Sequence, residues 1–173
     1  MRPVFTVLSL SAGATQGWIC GGGVSFRCAL GRSGRRTGKR EGDGATPVGA
    51  WPVRCVHYRP DRVRRPAAGV PVRAIRPGDG WCDAASDRNY NRRVRHPYPA
   101  SAEEMWRTDA LYDIVVELGC NDRPRARGRG SAIFIHVAHL HYTPTAGCIA
   151  LARGDLLHLA ARLRRGSMIR IPA

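Results

Sequence analysis

Glycine, proline, aspartate and asparagine interrupt almost every apolar stretch of this chain after a few residues, and that punctuation constrains the fold more than any other feature. With 20 glycines and 12 prolines among 173 residues, long helices have little room, whereas short strands joined by turns fit well. Val4 to Leu10 alternates, with Val4, Thr6, Leu8 and Leu10 on one face and Phe5, Val7 and Ser9 on the other, predicting a first strand. Val24 to Leu30, after Gly21-Gly22-Gly23, reads as a hairpin arm. Ala50 to Tyr58, Val70 to Arg76, Leu111 to Leu118, Ala132 to Val137 and Ser167 to Ile171 are further strands. Residues 31–49 read as a charged glycine-rich loop or flap, and residues 77–100 as a long irregular connection.

Two helices are predicted. Ser101-Ala102-Glu103-Glu104 matches a capping box, with Ser101 as N-cap, opening a short helix that carries Met105 and Trp106. Gly154 to Arg165 spaces Leu156, Leu157, Leu159, Ala160 and Leu163 helically, with Asp155 early and Arg164-Arg165 late, and Gly166 at its end. The fold class is therefore mainly β, a sandwich or partly closed barrel with a few short helices, in one domain spanning 1–173.

The formal charge of +15 favours an acidic partner, and an arginine-rich base composition explains it equally well. No helix-turn-helix or RNA-recognition signature accompanies it, so no specific nucleic acid is expected, and a noncatalytic polyanion binder is the rival of another class. No apolar run approaches the ~20 residues of a spanning helix. Val4 to Ala14 also imitates a short secretory h-region, but with only Arg2 before it the strand is the better reading, so there is no convincing signal peptide. The six cysteines, Cys20, Cys28, Cys55, Cys82, Cys120 and Cys148, form no C-x-x-C pair; most read as small buried residues, and the sequence leaves disulfides open. His139-x-His141 could place two imidazoles on one strand face, but with no cysteine beside them no metal and no cofactor is expected.

One stretch asks for chemistry. If Phe134 and His136 share a strand face, His136 points into a cleft while Ile133, Ile135 and Val137 fill the other side. Cys148 follows after a loop, inside Thr145-Ala146-Gly147-Cys148-Ile149, where Gly147 lets backbone N–H groups approach a carbonyl. A cysteine beside a histidine can act as a nucleophile. A satisfied strand histidine and a buried core thiol account for the same residues.

These residues resemble the L,D-transpeptidase (YkuD-type) catalytic domain in its compact bacterial branch. A strand ending in Ile135-His136, a loop and Thr145-Ala146-Gly147-Cys148-Ile149 match one motif. Lys39-Arg40-Glu41-Gly42-Asp43-Gly44-Ala45-Thr46-Pro47-Val48-Gly49 matches a second, K-x-x-G-D-x-x-T-P-x-G, ahead of a strand opening at Trp51. Trp81-Cys82-Asp83, Tyr90-Asn91, Tyr112-Asp113 and Gly119-x-Asn121-Asp122 lie between them. The resemblance implies Cys148 as nucleophile, His136 as base and then acid, and the Val137 carbonyl as orienter of the imidazole. It implies the Ala146, Gly147 and Cys148 amides as oxyanion donors, with Thr145, Asn121 and Tyr112 at or bracing the cleft, and Asp43, Thr46 and Pro47 fixing the loop beside it. Ala146 and Ala150 stand where many members carry histidine and arginine, so Arg153 or loop arginines would have to meet a substrate carboxylate. The implied reaction expels the terminal D-residue of a peptidoglycan stem through a thioester and passes the acyl group to an amine. Water as acceptor would make an L,D-carboxypeptidase. No cofactor is implied; the partners are stem peptides, the state monomeric and the location the periplasm or cell envelope.

Overall fold

The computed structural model describes residues 3–173. The strands are β1 (Val4–Leu8), β2 (Gln16–Gly21), β3 (Val24–Ala29), β4 (Arg35–Arg36), β5 (Thr46–Pro47), β6 (Gly49–Tyr58) and β7 (Val72–Ala74). They continue with β8 (Asp79–Cys82), β9 (Arg93–Arg95), β10 (Ala102–Glu104), β11 (Ile114–Leu118), β12 (Phe134–Val137), β13 (Ile149–Leu151) and β14 (Met168–Ile171). One α-helix, α1 (Arg153–Arg162), precedes β14.

The main sheet runs β11-β12-β13-β3-β2-β1-β14-β6-β7, and β11 pairs with β6 as well, closing eight strands into a barrel with β7 on its flank. The mainly β class is correct, and the closed barrel resolves the choice between sandwich and partly closed barrel. Every strand of the ring turns alternate residues inward. Phe5 and Val7, Ile19, Cys28, Val53, Val56, Ile114, Val116, Ile135, Ile149, Ile169 and Ile171 form one interior core, which α1 joins through Leu156, Leu159 and Ala160. Burying these side chains, at roughly 25 cal/mol per Å² of apolar surface, is what holds the barrel.

A second core lies on the outer wall. There β8, β9 and β10 form a small antiparallel sheet that covers β11 and β12, and Trp81, Met105, Tyr112, Val115 and Phe134 pack between the layers. Trp81 and Tyr112 both meet Phe134 edge to face, at ring separations of 5.1 and 6.0 Å.

Four expectations are corrected. The capping box at Ser101 opens no helix: Ala102, Glu103 and Glu104 pair with Cys82, Trp81 and Gly80, because that ladder and the burial it brings outweigh a local capping signal. The connection over 77–100 contains β8 and β9, and the loop over 31–49 contains the parallel pair β4–β5. The last helix ends at Arg162, since Leu163 turns extended and is fully buried. Val4–Leu8 forms β1 between β2 and β14, with Phe5 and Val7 inward. All six cysteines are free thiols.

Candidate active site

Strands β12 and β13 run parallel, with Ile135 beside Ile149 and His136 beside Ala150. Ile133, Ile135, Val137 and Ile149 point into the barrel. The pleat therefore turns Phe134 and His136 outward. Cys148, one residue before Ile149, comes abreast of Phe134 and packs on the outer-wall core. Thiol and imidazole thus share one outer face of this wall.

The imidazole is nearly inaccessible, at 6% exposed. Its Nδ1 lies 2.8 Å from the Val137 carbonyl oxygen, so Nδ1 carries the proton and Nε2 keeps its lone pair. Burial pulls its pKa down to about 4, with the Val137 carbonyl opposing and the Arg107 charge assisting. The Tyr112 ring stands edge-on to it at 5.5 Å.

Cys148 is half-buried. Its Sγ donates to the Ala132 carbonyl at 3.2 Å and accepts the Phe134 N–H at 3.4 Å. Burial pushes the thiol up to about 12, helped by the Glu103 carboxylate and opposed by the Phe134 N–H and the Lys39 charge. At neutral pH both groups are uncharged. No preformed thiolate–imidazolium pair exists in this state.

The turn before Cys148 is tightly braced. Thr145 Oγ1 donates to the Cys148 carbonyl at 2.6 Å and accepts the Gly147 N–H at 3.1 Å. Gly147 was expected to aim its amide at an oxyanion; the amide is instead spent on Thr145. Gly147 has φ +135°, and a Cβ there would lie 2.8 Å from the Ala45 carbonyl, so only glycine fits. Behind it, Asp43 accepts N–H bonds from Arg40 and Ala45, both at 2.9 Å, and pairs with Lys39. Thr46 Oγ1 accepts the Gly31 N–H at 2.8 Å. This second sequence motif forms the shelf on which the cysteine turn rests.

Other expected residues lie elsewhere. Asn121 bonds to Ala126 and Gly130 and borders a cavity of about 350 Å³ that neither His136 nor Cys148 lines. Arg153 donates to the Arg62 carbonyl and faces Asp113, so its guanidinium is engaged away from the thiol. His139 and His141 share no strand face; they sit around a 3-10 turn over Leu140–Tyr142, with His141 at φ +60°.

Three residues at the site carried no role from sequence. Glu103 accepts the Tyr112 hydroxyl at 2.6 Å, and burial raises its pKa. Arg107 stacks on Tyr112 at 5.1 Å, at the rim beside His136. Asn91 accepts from Trp81 and from the Ala132 N–H, and donates to the carbonyls of Cys120 and Asn121. It thereby holds Ala132 at φ +50° with its carbonyl on the thiol. The recurrence of Tyr90-Asn91 in the resemblance was the one signal that could have marked it.

The closed barrel thus bears a histidine and a cysteine side by side on its wall, with a glycine turn under the sulfur. The family model of the YkuD L,D-transpeptidase catalytic domain matches residues 13–171, and the chain belongs to that family. It is an enzyme of the L,D-transpeptidase type, from a wall-associated family that acts on peptidoglycan. No curated protein and no solved structure matches the chain. No helix among the described residues is long and apolar enough to cross a membrane.

Proposed function

We propose that the protein is a cysteine acyltransferase that removes the terminal D-residue of a peptidoglycan tetrapeptide stem and joins the remaining acyl group to an amine. The observation that carries this reading is the shared outward face of His136 and Cys148, with His136 Nδ1 fixed on the Val137 carbonyl and Nε2 left as acceptor.

Because thiol and imidazole rest neutral, proton transfer accompanies attack. Entry of the stem swings Cys148 Sγ off the Ala132 carbonyl. Its proton passes to His136 Nε2 as sulfur bonds to the carbonyl carbon of the L-centred residue. The amides of Cys148 and Ala146 receive the oxyanion; Gly147 joins them only if the Thr145 hydroxyl lets go. Collapse breaks the C–N bond, and His136 returns its proton to the departing amine. An acceptor amine then attacks the thioester, gives its proton to His136, and sulfur regains one as it leaves. Arg107, at the rim and stacked on Tyr112, is held by Asp109 through Nε at 2.8 Å and Nη2 at 2.7 Å, so only its Nη1 is left to meet a substrate carboxylate. The +15 charge suits a polymer rich in carboxylates.

Intact-mass measurement after incubation with disaccharide-tetrapeptide, and separately with a carbapenem, should show an acyl adduct that Cys148→Ala abolishes. Released D-alanine with a new cross-link marks transfer; D-alanine with free tripeptide marks hydrolysis. Wild type giving neither adduct nor D-alanine ends the proposal.

A further inference from the structure

One and two strands away from His136, on the same outer wall, three ligand-type side chains converge that the acyl-transfer site does not use. Cys55 and His57 are two apart on β6 and so share a face, and Glu117 of β11 is the cross-strand partner of Cys55. Cys55 Sγ, a ring nitrogen of His57 and a carboxylate oxygen of Glu117 all lie within 4.8 Å of one another. His57 Nε2 is 2.8 Å from Glu117 Oε2. Both strands belong to the closed barrel, so the arrangement is rigid before any ligand arrives. Cys55 and Glu117 also line a cavity of about 340 Å³, which leaves solvent room on one side of the trio.

We propose that Cys55, His57 and Glu117 bind one divalent cation of the zinc class. The donor set of one thiolate, one imidazole and one carboxylate suits a borderline metal, and tetrahedral Zn²⁺ takes such atoms at about 2.0–2.3 Å. On binding, the Cys55 thiol proton leaves to solvent as the S–metal bond forms. The hydrogen bond between His57 and Glu117 opens, His57 carries its proton on Nδ1, and the freed Nε2 and carboxylate oxygen turn to the metal. The fourth position faces the cavity and is filled by water or a small anion.

The surroundings are cationic: Arg73 is the register neighbour of His57 on β7, and Arg73 and Arg93 both line the cavity. A thiolate and a carboxylate cancel the charge of a divalent ion, so the loaded site is neutral toward these guanidiniums. The same guanidiniums stabilise the two ligand anions and favour an anion at the fourth position. The site stands apart from acyl transfer, since Val115 and Phe134 separate it from His136 and Cys148.

Metal-stripped protein titrated with Co²⁺ should bind one ion per chain, showing a sulfur-to-cobalt charge-transfer band and the visible bands of a tetrahedral ion. Zn²⁺ should displace the cobalt and raise the melting temperature. Cys55→Ser should abolish the charge-transfer band and weaken binding at least 100-fold, and Glu117→Gln should weaken it 10- to 100-fold. Cys148→Ala should leave the band unchanged. If Cys55→Ser fails to fold, Glu117→Gln and His57→Gln decide the matter. The proposal is overturned if the wild type shows no thiolate band, if less than a tenth of an equivalent stays bound, or if folded Glu117→Gln and His57→Gln bind as tightly as wild type.

Discussion

His136 keeps its single ring proton on Nδ1 and lies almost out of solvent, so its acidity is set by burial before any charge nearby. A base with a pKa of about 4 stays competent far below the range of an ordinary imidazole. The acid limb of kcat/KM should therefore fall near pH 4, where a solvent-exposed histidine base would give one near 6.5. A limb at 6.5 in initial-rate measurements would place a different base in charge. The same shift sets a stability term. Its folded pKa being depressed, His136 contributes fully above the unfolded value, and that contribution is lost as pH falls from 6.5 toward 4.

Lys39 poses a related question, for it is the one lysine in a chain whose other basic side chains are arginines. It is 8% exposed, threads past Gly130, pairs with Asp43, and ends 3.4 Å from where a Cβ on Gly147 would be. A guanidinium is too wide for that slot. Lys39→Met should leave a buried carboxylate without its partner, costing about 3 kcal/mol in urea unfolding. It should also slow iodoacetamide labelling of Cys148 several-fold at fixed pH, because a positive charge that lowers the thiol pKa is gone. Lys39→Arg should rescue neither fully. The alternation around His136 and the glycine before Cys148 were legible in sequence because both are local. Glu103 and Asn91 were not, since their meaning resides in partners such as Trp81, Ala132 and Tyr112 that the chain brings together only on folding.

At the scale of elements, strands announced by alternation and turn residues appeared within a residue or three of their expected ends. The failures have one cause. Ser101 to Glu104 carries a sound helix-start signal, yet it folds as β10 because β8 offers a ladder and a buried place for the Glu103 side chain against Tyr112. Strands β8 and β9 were hidden in turn-rich sequence; they pair with each other, and Asn91 ties β8 to the chain behind the thiol, its side-chain oxygen serving Trp81 and Ala132 and its nitrogen Cys120 and Asn121. Asn91 is 4% exposed, so removing it strands three buried polar groups and one half-buried one. Asn91→Ala should lower stability by about 3–5 kcal/mol in denaturant titration. It should also release the Ala132 carbonyl from the thiol, seen as altered Cys148 alkylation under conditions where the variant is still folded. A loss below about 1 kcal/mol would mean that water replaces the asparagine without penalty.

For the whole molecule, the sequence could not say whether the sheet closes. Closure rests on β11 pairing with β6, two strands far apart in the chain, and no local pattern encodes that choice. Folding also withdraws thiols from water: burial raises Cys28, Cys120 and Cys148 to about 12 and Cys55 to about 11, and raises Cys82 as well. An unfolded thiol ionises near 9, the ordinary value for each of these groups. Above that pH the unfolded chain has given up protons that the barrel still holds, so the stabilisation present below pH 9 is lost as pH rises toward 11–12. Each thiol approaches about 1.4 kcal/mol per pH unit in that window, but only about 1 kcal/mol between pH 9 and 10 while the unfolded thiol is partly ionised, so the four raised to 11–12 together cost roughly 4 kcal/mol there. Urea midpoints of metal-free, reduced protein should accordingly drop steeply between pH 9 and 10, with little change between 7 and 8. Cys148→Ala should remove one thiol's share of that slope. Saturating Zn²⁺ should remove a further thiol's share if Cys55 binds it, because a metal-bound sulfur has no proton left to lose. A flat alkaline profile would mean that these thiols are reached by water, and that the wall behind the nucleophile is looser than its packing implies.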